Sequence, residues 1–128
     1  DWKVTMEKKF QYLVAMKGEF MVVSLVGGMD DVAEEQLSAL YGEIEIKKPR
    51  FVVLNFRDVA FVERSAYRLL TMIQMYVRNE LNGVVRSCGV LPKIRKVLEQ
   101  EGVLRKNEVC DNVQMALTLF QRPKGQNT

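Results

Sequence analysis

Ser65 carries the clearest chemistry in this chain. It follows an apolar run and a polar turn, Phe51-Val-Val-Leu-Asn-Phe-Arg-Asp-Val-Ala-Phe-Val-Glu-Arg-Ser-Ala-Tyr67, and heads a stretch with helical periodicity. A hydroxyl at a helix N-terminus lies beside unpaired backbone N–H groups and the positive end of the helix dipole, so a phosphate placed there is stabilised. The roughly −2 charge of that phosphate would remodel a docking face around it. A serine that merely caps the helix suits the position equally well. Arg64 is open in the same way: it could meet a phosphate on its neighbour, or pair with Glu63 or Asp58. Asp30, Asn55 and Glu63 are further polar groups expected near strand ends on the Ser65 side. Converging carboxylates could serve acid–base chemistry, but no pocket motif accompanies them.

Other chemistries are poorly supplied. The chain has no histidine, which removes the usual general base near neutral pH and the usual zinc ligand sets. Its two cysteines, Cys88 and Cys110, make no metal-ligand spacing and sit in apolar, strand-like surroundings. They read as buried free thiols, which suits a reducing compartment. Gly27-Gly28 is a plain turn pair, and neither a phosphate-cradling glycine loop nor a nucleophile elbow is found. No enzyme, cofactor or metal is therefore expected.

The 19 basic and 16 acidic residues are interspersed and leave a net charge of +3, which does not argue for nucleic acid. Lys93, Arg95 and Lys96, with Arg105 and Lys106 beyond, share their stretch with Glu99 and Glu101 and with no aromatic residue. That composition describes a solvated helix face. No apolar run approaches the roughly 20 residues of a membrane-spanning helix, and a cytoplasmic location is the expectation.

The elements that would position Ser65 follow from periodicity. With 128 residues, 48% of them hydrophobic and 27% charged, the chain suits a single domain with one core, here residues 8–121, and loose ends over 1–7 and 122–128. Phe10, Tyr12, Val14 and Met16 alternate as in a strand, and Lys17-Gly-Glu19 turns the chain into a second strand, Phe20 to Val26. Asp31, with Glu34 three residues on, predicts a capped helix burying Ala33, Leu37, Leu40, Tyr41 and Ile44. Phe51 to Phe56 is apolar throughout, as a strand covered on both faces must be. Ser65 to about Asn79 predicts a helix with Ala66, Leu69, Leu70, Ile73 and Val77 inward. A strand is expected over Val84 to Cys88. Pro92 then opens a helix, stopped at Gly102, with Ile94, Val97 and Leu98 inward. Glu108 to Cys110 is a last short strand, and Asp111 caps a helix burying Val113, Ala116, Leu117 and Phe120. The order β-β-α-β-α-β-α-β-α implies an α/β fold with a mixed, mostly parallel five-stranded sheet and four helices.

Four local patterns arrive in the same order. Gly27-Gly-Met-Asp30, with Leu37 after it, resembles the Gly-x-Leu-Asp turn of STAS domains, the family of anti-sigma-factor antagonists. Phe51 to Val59 resembles that family's Val-Val-Leu-Asp-Leu-Ser-x-Val strand, Phe61-Val-Glu-Arg-Ser65 its Phe-Ile-Asp-Ser-Ser segment, and Gly89-Val-Leu-Pro92 the loop before its third helix. Ser65 keeps the phosphoacceptor position and Asp30 the acidic residue of the first turn. Asn55 stands where Asp is usual, Glu63 replaces an Asp, Arg64 a hydroxyl residue, and Ala66 a common Gly.

The resemblance implies a non-enzymatic regulatory module. Its partner would be an anti-sigma factor of the serine-kinase type, released when the serine is phosphorylated. Alternatives within the family are an accessory subunit of a transporter ATPase and a stressosome-like scaffold with a degenerate switch. On the outer face of the Ser65 helix, Arg68, Met72, Met75 and Asn79 form the expected partner-binding surface, methionine being an adaptable contact residue. Scattered surface methionines without function would look the same.

Overall fold

The computed structural model describes residues 9–120, so the two expected loose ends lie outside the described residues. Strands β1 (Gln11–Lys17) and β2 (Phe20–Val26) form an antiparallel hairpin, in register from Gln11 opposite Val26 to Lys17 opposite Phe20. Its two-residue turn is made possible by Gly18 at φ +60. Strands β3 (Phe51–Asp58), β4 (Val84–Cys88) and β5 (Val109–Cys110) add in parallel, giving the sheet order β1-β2-β3-β4-β5. Helices α1 (Ala33–Lys47), α2 (Tyr67–Met75), α3 (Pro92–Gln100) and α4 (Val113–Phe120) connect and cover them. The α/β class and element order are those expected from periodicity.

The two sheet faces are unequal. On one, Val23, Leu25, Val52, Leu54 and Phe56 pack with Leu37, Leu40, Leu70, Ile73 and Leu98 from three helices. On the other, Val53, Cys88 and Cys110 meet only α4, through Ala116, Leu117 and Phe120. The division follows the alternation of side chains along β3.

Several starts and faces differ from expectation. Asp31 does not cap α1, whose boundary residue is Val32 without a side-chain cap bond; Asp30 shapes the preceding turn, its Oδ1 accepting from the Val32 amide at 3.0 Å and its carbonyl from Ala33 at 3.1 Å. α4 is capped by Asn112 rather than Asp111, its Oδ1 accepting from the Met115 amide at 2.8 Å. Val97 does not pack inward; it is 44% exposed, while Leu98 is buried. Beyond Gly102, at φ +76, the chain turns back and buries Val103 and Leu104 instead. The helix expected from Ser65 begins as a 3-10 turn, Arg64–Ala66, continues as α2 and ends in a π turn, Tyr76–Glu80.

Buried polar groups tie α2 to the second half of the chain. Gln74, 1% exposed, donates to the carbonyls of Leu70 and Val103, both at 2.9 Å. Arg78 meets Glu108 through Nε at 2.9 Å and Nη2 at 2.6 Å.

Candidate functional site at the start of the Ser65 helix

Two loops at the carboxyl ends of the parallel strands set the position of Ser65. The Met29 amide donates to the Phe61 carbonyl at 2.9 Å, and the Glu63 amide donates to the Met29 carbonyl at 2.7 Å, closing an isolated parallel bridge between Met29 and Val62. That bridge holds Glu63 extended, at φ −84 and ψ 158. Helical structure cannot begin before Arg64, and Ser65 falls inside the first turn rather than at its cap. Its side chain is exposed. The expectation that Ser65 is the N-cap is therefore corrected; Glu63 occupies that boundary without a side-chain cap bond.

The bridge also needs Gly28. A Cβ there would stand 2.1 Å from the Phe61 ring, so the aromatic side chain lies directly over the glycine backbone. Phe61 is nevertheless 46% exposed. With Tyr67, Lys93, Ile94 and Val97 it lines a shallow groove of about 270 Å³ between the Ser65 turn and α3. Nothing in the sequence marks Phe61 and Val97 as a surface. An apolar residue at the foot of a turn carries no signal of exposure until the partner loop is placed.

Arg64 pairs neither with Glu63 nor with Asp58. It reaches Glu101 at 3.2 Å and lies over the Tyr67 ring at 5.8 Å, while Asp58 is met by Arg57 at 3.6 Å. Arg68, one turn beyond Ser65, is held by Glu34 at 3.3 Å and touches Met72 Sδ at 3.1 Å. Both arginine pairs are largely solvent-exposed, and such pairs contribute about 0–1 kcal/mol each. Either guanidinium can therefore leave its carboxylate for a stronger anion at little cost.

The structure brings Asp30 and Glu63 together through the Met29–Val62 bridge but leaves Asn55 on another face. Asn55 shares its side of β3 with Val53, toward α4; its Oδ1 accepts from the Arg57 amide at 3.1 Å and lies 3.9 Å from Cys88 Sγ. It lines a separate groove with Gly89, Asp111 and Asn112. Two-residue alternation puts Asn55 and the Ser65 helix on opposite sides. Asp30 already uses one carboxylate oxygen in the turn before α1.

On the outer face of α2, Met75 is 48% exposed and Arg68 and Asn79 are exposed, whereas Met72 is half-buried and packs against the core. Tyr41, Met72, Met75, Tyr76, Asn79 and Glu80 line a groove of about 220 Å³. Tyr41 and Tyr76 meet edge to face with centroids 5.4 Å apart, which fixes its floor.

Among the described residues no group of three or more His, Cys, Asp or Glu side chains is arranged to hold a metal ion. No described helix is long and apolar enough to cross a membrane.

The site is thus an exposed serine in the first helical turn that follows the central strand of a five-stranded mixed sheet. The family model of the STAS domain matches residues 11–116, and the chain belongs to that family. No curated protein sequence matches it. Among solved structures, an anti-sigma factor antagonist from Mycobacterium paratuberculosis is 21% identical, with a TM-score of 0.74 over 87% of this chain and 93% of that one. The Bacillus cell fate determinant SpoIIAA in its phosphorylated form is 20% identical, with a TM-score of 0.68 over 86% and 99%. A sulfate transporter family protein from Wolinella succinogenes is 17% identical, with a TM-score of 0.69 over 82% and 87%. At these identities the likeness is one of fold.

Proposed function

We propose that this STAS domain is a non-enzymatic cytoplasmic module that binds an anti-sigma factor of the serine-kinase type, and that phosphorylation of Ser65 releases it. The observation that carries this reading is the exposed Ser65 hydroxyl in a turn braced by the Met29–Val62 bridge and flanked by Arg64 and Arg68. A phosphate there would draw both guanidinium groups from Glu101 and Glu34, since an arginine–phosphate contact is stronger than an exposed carboxylate pair. That movement rebuilds the surface between the Phe61 groove and the Met75 groove. SpoIIAA, whose fold this chain shares, has been solved both phosphorylated and unphosphorylated, which supports a phosphorylation switch on this fold.

The test is incubation with the cognate kinase and ATP, followed by mass-spectrometric mapping and binding of the modified protein. Phosphate on Ser65 with loss of affinity is expected. Phosphate elsewhere, or none where a control antagonist is modified, refutes the switch. Met75→Glu should abolish partner binding with the thermal midpoint almost unchanged, because the side chain is exposed. Met72 is less suited to that test, because it also packs against the core. Unchanged affinity in Met75→Glu would move the docking face away from α2.

The Wolinella structure favours a second reading, an accessory domain of a membrane transporter. Capture of a transporter subunit instead of a kinase by the unmodified protein would select it.

A further inference from the structure

We propose that β1 is a self-pairing edge, through which two copies of this chain join antiparallel about Val14 into one continuous sheet. β1 has β2 on one side only, so its outer backbone donors and acceptors have no strand partner within the described fold. Such a row is a template on which another strand can replace water.

Sheet edges are commonly protected by charge, proline, a bulge or shortness. The opposite edge uses the last of these, β5 being two residues long. β1 uses none. It runs seven residues in unbroken register with β2, contains no proline, and carries no charge from Gln11 through Met16. Its Tyr12 and Val14 side turns inward, with Tyr12 donating to Glu43 of α1 at 2.9 Å. Among the described residues nothing covers its other side: Leu13 is 64% exposed and Ala15 is exposed, and α4 does not extend over them. An apolar groove of about 580 Å³ between the hairpin and Leu117 of α4 continues that bare strip.

A second copy fits this edge under a two-fold axis. Antiparallel pairing centred on Val14 sets Leu13 against Ala15, Tyr12 against Met16, and Gln11 against Lys17. No like charges meet, apolar residues face apolar ones, and each contact occurs twice, as an isologous interface requires. Each exposed Leu13 then gains Ala15 of the other copy as a cross-strand neighbour on the same sheet face.

Sedimentation of the full chain at micromolar concentration should show a species of twice 14.8 kDa. Leu13→Lys with Ala15→Lys should raise the dimer dissociation constant by about tenfold or more, the axis applying each change twice. Circular dichroism should stay unchanged, since both side chains are exposed. Register is read by cysteine pairing: under mild oxidation, a mixture of Leu13→Cys and Ala15→Cys proteins should cross-link more than either alone. A wild-type monomer throughout, a dimer indifferent to the lysines, or better cross-linking within one cysteine variant would each overturn the proposal.

Discussion

Gln74 shows how one polar side chain holds two parts of the chain together. Its amide donates to Leu70 in its own helix and to Val103 after α3, and its oxygen accepts from Arg78 at 3.3 Å. Replacement by Ala leaves the Val103 carbonyl without its donor, so Gln74→Ala should lower the unfolding free energy by about 1–3 kcal/mol, read from denaturant midpoints. Burial similarly governs the thiols. It pushes Cys88 from 9.0 up to about 11, with Cys110 beside it adding to the effect. Tyr12 rises from 10.0 to about 12, through burial first and then its bond to Glu43. In both cases the folded state favours the protonated form, so this stability is intact below about pH 9 and is lost progressively as pH rises toward about 12. A denaturation midpoint that stays level through that window would contradict it. The burial of both cysteines was legible from their apolar neighbours. The burial of Gln74 was not, because a glutamine on the flank of a helical stripe looks solvated until Val103 folds over it.

At the scale of elements, strands and inward helical faces were readable because alternation by two or by three and four residues is dictated by which side meets the core. Helix starts were less so. Asp30-Asp31 and Asp111-Asn112 each offer two adjacent cap residues; at α1 neither caps the helix, and at α4 Asn112 does. For α4 the choice is testable: Asn112→Ala should cost about 1 kcal/mol and Asp111→Ala close to nothing, by thermal or chemical unfolding. Equal effects would mean that the cap is shared. The Ser65 turn makes the same point for the candidate site. Periodicity located the helix, but only the bridge between Met29 and Val62, two segments distant in sequence, shows that Glu63 is held extended and that the serine lies within the first turn.

For the whole molecule, the contrast between the two sheet edges has a consequence best put in the language of polymer chemistry. A building block with two joining ends grows into a chain without limit, whereas one with a single joining end is a stopper and yields a pair. Seven-residue β1 offers such an end; two-residue β5 is too short to offer another. With the proposed pairing, the described fold has a functionality of one. Light scattering across a wide concentration range should therefore level off at twice the chain mass. Extending β5 by several apolar residues should turn the plateau into continued growth.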